Sequence, residues 1–549
     1  MHLLNVKTRK LEAFYHGAIP KYAILSHTWG HNEPTFDDLQ NVTKRWRLRI
    51  GSGKISRCYA QAASDGFDYV WIDNCCIDKR SSAELSEAIN SMFKWYAEAA
   101  VCYVYLVDVC PAARQRASGA KSAWMLSLDP AQLGDLKKAR WFTRGWTLQE
   151  LLAPSLLKFY DSAWNLIGYS SRIDVDDTTN GQAWEVPRLN PLLADITAIP
   201  MKYLQEEALD QASVAERMSW AAGRQTTRLE DMAYCLLGLF SVNMPMLYGE
   251  GPGAFLRLQE EIMRKYDDHS IFTWGLGSHT AGVDGECCMA KSPADFKLSC
   301  SVTMRSPEDE ASNHYEPTNA GIHIQLPLVQ LRSGEYLARL NCTVDSGQVD
   351  VLLEDKYLSL ILIQSRDRKN VFYRRTVIPP TPVSLRFFEH AVRQSIYLTP
   401  APYVTIRDMR NGPLFVSAGC ANVFKVRFTY PGVLDVDEGV YSLITDLWKH
   451  LRDGNGIFLD CVSVGGKEFA IRVLFEMKKD DIDGGGIGIE SASLSISRRR
   501  DVSSMVELMM LPKTGEVLDL GWETDTVVDG YQIALEPTET NQWKIDIVL

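Results

Sequence analysis

The sequence predicts an α/β fold, followed by a helical stretch and then a β-rich half. Three observations carry that prediction. The first third alternates short apolar strands with amphipathic helices. The middle keeps only helical periodicity. From about His279 onward apolar residues recur at every second position. At 549 residues the chain is too long for one core, so two or three domains are expected. The pattern changes set their bounds at 1–190, 191–278 and 279–549.

Within the first region, Tyr22–His27 is a short strand ending in polar residues. Ser56–Ala63 reads as a helix closed by Asp65-Gly66, and Tyr69–Ile72 as a strand ending at Asp73. Ala83–Ala99 places Leu85, Ile89, Met92, Phe93 and Tyr96 at helical spacing. Val101–Val107 is almost wholly apolar, as a strand buried on both faces would be. A looser segment, Pro111–Gly119, reads as surface. A helix over Trp141–Leu152 and a strand over Leu157–Tyr160 follow. Repeated strand-helix-strand units with buried strands imply a parallel, doubly wound sheet. In such sheets the site lies at the C-terminal strand ends, which points to Ser26-His27, Asp73-Asn74 and the helix carrying Glu150.

The second region carries amphipathic helices at Ser213–Ala222, Leu229–Phe240 and Gly253–Tyr266, the last two separated by the turn Gly249-Glu-Gly-Pro-Gly253. In the third region Ile322–Leu326, Glu335–Cys342, Leu358–Ile363, Val423–Phe428, Gly456–Val462, Phe469–Phe475 and Tyr531–Leu535 read as strands of a β-sandwich or barrel. Asp480–Gly486 reads as a surface loop. There are no internal repeats and no heptads.

Composition is that of an ordinary globular protein, with 46% hydrophobic and 23% charged residues. The formal charge of -11 and the lack of a long Lys/Arg block argue against nucleic acid and against anionic membranes. The longest apolar runs, such as Tyr357–Gln364, have strand length and cannot span a bilayer. The opening residues, Met1 to Lys7, lack the apolar core of a signal peptide. The 12 cysteines are scattered, with adjacent pairs at Cys75-Cys76 and Cys287-Cys288 and no C-x-x-C. That is a reduced pattern, so a cytoplasmic location is expected.

The stretch Ala139–Pro154 puts the Glu150 carboxylate among aromatic, apolar and cationic residues. Trp146 and Glu150 are four apart and share a helix face, and Pro154 ends that helix. Glu150 is then either a buried partner of Arg144 or a site group. Gly51-Ser-Gly-Lys54 has a phosphate loop's flavour, but Ile55 stands where Ser/Thr must bind magnesium and Leu48 where the first glycine belongs, so it reads as a turn.

Three blocks, Tyr22-Ala-Ile-Leu-Ser-His-Thr-Trp-Gly30, Tyr69-Val-Trp-Ile-Asp-Asn-Cys-Cys-Ile-Asp78 and Arg140-Trp-Phe-Thr-Arg-Gly-Trp-Thr-Leu-Gln-Glu150, resemble the signature blocks of the fungal heterokaryon-incompatibility (HET) domain. Glu216–Ala221, Thr227–Phe240 and Met246–Gly251 resemble the helical extension found in many of these proteins. The resemblance covers about half the chain. It implies a role in programmed cell death, allorecognition or innate immunity. HET domains are similar in fold order to TIR domains, so the first region is expected to be TIR-like (flavodoxin-like). Trp146-Thr-Leu-Gln-Glu-Leu151 looks like the Trp-Cys-Leu-x-Glu-Leu helix of plant TIR domains. In catalytic TIR domains that glutamate is essential for cleaving NAD, which lands the expectation on Glu150.

NAD cleavage builds positive charge on the ribose ring, and a neighbouring carboxylate can stabilise it. Ser26 and His27 are candidates for phosphate or ribose contact, or else they cap a turn. Asp73 is a candidate for a ribose hydroxyl, or an Asx turn. Trp29, Trp146 and Arg144 complete the candidate ligand set, although Trp29 and Trp71 also suit a core. A thiol nucleophile at Cys75 or Cys76 with His27 as base, and a metal pair His27–His31, are weaker alternatives; no metal or cofactor is expected. Glu84, Glu87, Lys79 and Arg80 suit a solvated helix start, and the loop Ile77–Ala83 occupies the place of a TIR gating and assembly loop. Expected partners are therefore NAD or a related nucleotide, a second copy of the chain, and a protein bound by the β-rich region. A non-enzymatic assembly module is the competing reading.

Overall fold

The computed structural model of the chain describes residues 1–400 apart from 16–18, 31, 41–51, 113–129, 173–185, 206–207, 277–287, 306–313, 332–334, 346–355, 366 and 375–378, and describes strands by their backbone beyond 400. His31, Leu48, Gly51, most of 111–119 and the 480–486 loop lie outside the described residues. The chain divides into two compact units, 1–266 with 291–301, and 267–290 with 302–549.

The first unit is built on a seven-stranded sheet. Its strands are β1 (His2–Asn5), β2 (Leu11–Ala13), β3 (Tyr22–His27), β4 (Tyr69–Trp71), β5 (Val101–Tyr105), β6 (Leu156–Tyr160) and β7 (Leu166–Ser171), in the order β2-β1-β4-β3-β5-β6-β7. The four central strands, β4, β3, β5 and β6, are parallel. β3 is buried at every residue, as its apolar run predicts. The chain order of the central strands reverses at β3, where β4 lies on one side and β5 on the other. That reversal is where doubly wound sheets open a crevice.

The edges depart from the all-parallel expectation. β1, β2 and β7 pair antiparallel. The β6–β7 hairpin turns on Asp161, whose carboxylate accepts from the amides of Ala163 and Asn165, both at 2.9 Å. This Asx turn reverses the chain, and no apolar periodicity advertises it.

The helices of this unit are α1 (Phe36–Gln40), α2 (Ser52–Ser64), α3 (Ser82–Glu98), α4 (Pro130–Lys137) and α5 (Thr147–Leu152), followed by α6 (Asn190–Thr197), α7 (Met201–Gln205), α8 (Val214–Ala221), α9 (Asp231–Tyr234) and α10 (Gly253–Lys265). Ser81 and Ser213 cap α3 and α8 through their hydroxyls. No helix among the described residues is long and apolar enough to cross a membrane.

Three expectations are corrected. Ser52–Lys54 is the first turn of α2 rather than a loop turn. The single helix expected over Trp141–Leu152 is a 3-10 turn, Arg140–Thr143, and then the short α5. Between them the Gly145 amide donates to Gln225 O at 2.9 Å and the Gln225 amide to Thr143 O at 2.7 Å, so a strand-like bridge replaces helical bonds. The helix expected over Leu229–Phe240 shrinks to α9, and beyond it the backbone tightens to three-residue turns, with the Leu236 amide on Ala233 O at 2.9 Å and the Leu237 amide on Tyr234 O at 3.3 Å; side chains then take up the last carbonyls. Arg217 donates to Leu239 O at 3.2 Å and Tyr266 to Phe240 O at 2.8 Å.

In the second unit, β8 (Val302–Met304) pairs with β12 (Cys342–Val344). The larger sheet contains β9 (Tyr315–Thr318), β10 (Gly321–Gln330), β11 (Tyr336–Arg339), β13 (Lys356–Gln364), β14 (Val371–Arg374), β15 (Thr381–Ser384) and β16 (Val392–Thr399). Pairings run β11-β10-β16-β14-β13 and then β13 back to β11, closing a ring. Closure removes free edges from these strands, giving a barrel-like sheet. The run expected over Glu335–Cys342 is divided between β11 and β12. Beyond residue 400 lie a six-stranded and a four-stranded sheet, which include the expected strands near 424–430, 457–463, 468–477 and 531–537.

Candidate functional site

Consecutive residues of a strand face opposite sides of the sheet, and the end of β3 uses this to serve two polar clusters. Ser26 serves one. Its hydroxyl donates to the Glu150 carboxyl of α5 and accepts from Trp141 Nε1 at 2.7 Å. An indole N–H only donates, so the serine keeps its own proton available for Glu150. Tyr96 of α3 also reaches Glu150, and its hydroxyl donates to Leu25 O at 3.0 Å.

Glu150 is 4% exposed. Burial, then the nearby Asp73 charge, push its pKa up to about 8, against the hydrogen bond from Ser26, the nearby Tyr96 hydroxyl and the charge of Arg224. The carboxyl is therefore mostly protonated at neutral pH. The expected partner cation is wrong: Arg144 donates to Thr227 Oγ1 at 3.2 Å, and among the described residues no Arg144–Glu150 ion pair is present. Arg224 is the buried cation instead. It donates to Arg144 O and Thr147 Oγ1, both at 3.0 Å, and to Trp220 O at 3.3 Å, and burial lowers its pKa to about 10.

His27 serves the other cluster. Its Nε2 lies 3.3 Å from Glu33 Oε2 and 3.9 Å from Asp73 Oδ1. Glu33 also accepts from Asn74 Nδ2 at 2.6 Å, from the Gly30 amide at 2.5 Å and from Lys54 of α2. Burial alone would raise the Glu33 pKa, but His27 and Lys54 outweigh it and hold it down at about 2. Burial lowers the Lys54 pKa despite Glu33 and Asp73. Asp73 links the clusters: its charge acts on both Glu150 and Lys54.

Trp29 covers this region from outside. Its ring is half-exposed, its Nε1 donates to Asp73 Oδ2 at 2.6 Å, and the Lys79 ammonium sits 3.6 Å from the ring centroid. Ser26, His27, Trp29, Asp73 and Glu150 thus come together. Arg144 and Trp146 do not: the Trp146 indole hydrogen-bonds Asp231. Trp71 is core, edge-on to Trp95 and Tyr96.

The thiol reading fails on contacts. Cys75 and Cys76 are buried and engage backbone atoms of Ile72 and Val70, and the hydrogen bond to Cys76, then burial, push the Cys75 thiol well up. Among the described residues no His, Cys, Asp and Glu group is placed to hold a metal. Arg80, in the Ile77–Ala83 loop, pairs with Asp78 and with Asp37 of α1.

Sequence reasoning missed Glu33, Tyr96, Trp141 and Arg224 as site members, and set Lys54 aside with the phosphate loop. The signal available was position alone: Glu33 lies between the end of β3 and the start of α1, and Lys54 in the first turn of α2.

Residues 22–150, from the start of β3 to Glu150, match the heterokaryon incompatibility protein (HET) family. Residues 253–306 match a domain of unknown function, DUF8212. The chain is 43% identical over 249 residues to vegetative incompatibility protein HET-E-1 of Podospora anserina, covering 45% of this chain and 16% of that protein. The chain therefore spans well under a fifth of that relative's length. No solved structure matches.

Proposed function

We propose that this chain is a vegetative-incompatibility effector that promotes cell death in the cytoplasm, and that its first unit, a TIR-like fold, hydrolyses NAD to ADP-ribose and nicotinamide. The incompatibility role is supported by the HET match and by the likeness to HET-E-1. The hydrolysis is supported chiefly by one observation: the Glu150 carboxyl meets Ser26 at the C-terminal end of β3, at the reversal of strand order, with Asp73 close enough to raise its pKa.

In this reading water attacks the ribose C1′, the bond to nicotinamide breaks, and nicotinamide leaves as a neutral base carrying the bonding pair. Ionised Glu150 stabilises the cationic ribose and takes the proton of the attacking water. Asp73 and His27 hold ribose or phosphate oxygens, and Trp29 offers a ring for stacking. Because free Glu150 is largely protonated at pH 7, kcat/KM should rise with pH through about 8.

Glu150→Gln tests this. Nicotinamide release by the full chain, at low and high protein concentration, should vanish in the variant. Absence of release at every concentration, with both proteins still toxic in cells, would sink the hydrolase reading. The burial of Glu150 favours one alternative, an effector that signals by self-association and uses this carboxyl as a core group. Toxicity that survives Glu150→Gln is its mark.

A further inference from the structure

Four donors from three segments of the chain converge on the Glu33 carboxylate. The Gly30 amide comes from the loop after β3, His27 Nε2 from β3 itself, Asn74 Nδ2 from just beyond β4, and Lys54 Nζ from the first turn of α2. The side chains of His27, Glu33 and Lys54 are 1%, 8% and 9% exposed. Donors gathered beside a helix start, at the C-terminal ends of parallel strands, are how doubly wound folds hold phosphate. Here a carboxylate of the same chain fills that place.

The carboxylate is let down from a surface loop. Trp29, Gly30, Asn32 and Thr35 are exposed, and Asn32 takes a left-handed φ of 56°. The loop's second inward contact is Trp29 on Asp73. One loop thus engages both the anion cradle and the carboxylate suited to a ribose hydroxyl. Beside the cradle two buried atoms have no hydrogen-bond partner: His27 Nδ1, which donates when protonated, and Asn74 Oδ1, which can accept only from a ligand hydroxyl.

We propose that Glu33 is an internal plug, its carboxylate standing in for a phosphate group of the nucleotide, so that Glu33 and Trp29 must lift away before substrate binds. This rests on the reading of the strand ends as a nucleotide site. A tethered carboxylate competes at a high effective concentration, so the wild-type chain should bind free anions poorly. Without the Glu33 charge, Lys54 calls for another anion.

The test is calorimetric titration of the full chain and its Glu33→Gln and Glu33→Ala variants with inorganic phosphate and with ADP-ribose. The plug predicts that both ligands bind a variant at least about tenfold more tightly than wild type. Adding Lys54→Met should abolish the gain. Folded variants with no gain, a gain that survives Lys54→Met, or a gain for phosphate without ADP-ribose would each overturn the proposal. Failure of both variants to fold would do so too, by making Glu33 a structural keystone. Nicotinamide release by wild type is scored separately, so the plug can fail while the hydrolysis reading stands.

Discussion

Ser26, near the end of β3, donates its hydroxyl hydrogen to Glu150, which lies 124 residues further along the chain. The same hydroxyl oxygen accepts from Trp141 Nε1 at 2.7 Å. Three side chains from three elements are thereby ordered as indole, hydroxyl and carboxyl.

Ser26→Ala should break this order at both ends, leaving the indole N–H and the carboxyl without the serine. The expected cost is about 1–3 kcal/mol, that of orphaning a buried polar group. The bond also holds the Glu150 pKa down, so the variant's Glu150 should titrate at higher pH. Urea unfolding followed by tryptophan fluorescence reads the first effect. A pH series of the same measurement reads the second, and an unchanged midpoint would refute the bond's importance.

Glu150 should make the fold less stable as pH rises. Its folded pKa of about 8 exceeds its ordinary value of 4.5, so the folded chain binds a proton that the unfolded chain has released. That contribution is full below about pH 4.5, declines at roughly 1.4 kcal/mol per pH unit and levels off above about 8. Glu150→Gln, a neutral amide of the same shape, should remove the slope. The variant should match wild type near pH 5 and exceed it at pH 8.5. Parallel curves for the two proteins would show that the carboxyl is not buried protonated. Glu33 acts in the opposite sense: held at about 2, it supports the fold above its ordinary range and withdraws support as pH falls towards 2.

The parallel sheet was legible because β3 and β5 are apolar on both faces, a pattern that short buried strands share with few alternatives. Ser26, His27 and Asp73 were legible from position, since polar residues ending such strands face the crevice. Glu33, Tyr96 and Arg224 were not. Tyr96 reads as one more apolar residue on α3, and its hydroxyl's destination depends on packing. Arg224 lies 74 positions after Glu150, in a turn with no periodicity. Arg144 looked the better partner only because it was nearer in sequence. β7 and the divided Trp141–Leu152 helix escaped for a related reason, since a side-chain turn and a bridge to Gln225 decided them.

Gly145 should tolerate no side chain, for a steric reason alone. A Cβ there would lie 2.5 Å from Thr226 Cγ2 and 3.0 Å from Cys235 Sγ. Gly145→Ala should cost about 1–3 kcal/mol by overpacking. It should also lower any Glu150-dependent activity by shifting the start of α5. Thr226→Ser removes the offending methyl and keeps the hydroxyl that donates to Arg228 O. The double variant should recover part of the loss, and additive costs in this cycle would show that the contact is not the cause.

Arg224 should matter to Glu150 without touching it. Its guanidinium binds Arg144 O and Thr147 Oγ1 at the start of α5, and its charge draws the Glu150 pKa down. Arg224→Met keeps much of the volume, removes the charge and leaves those oxygens one donor short. Stability should fall by about 1–3 kcal/mol for the lost donor, and the pH at which Glu150 ionises should move up. Arg224→Lys restores the charge but not the three-way hydrogen bonding, so it should recover the titration more fully than the stability. Equal recovery of both, or of neither, would mean that charge and hydrogen bonding at Arg224 are not separable.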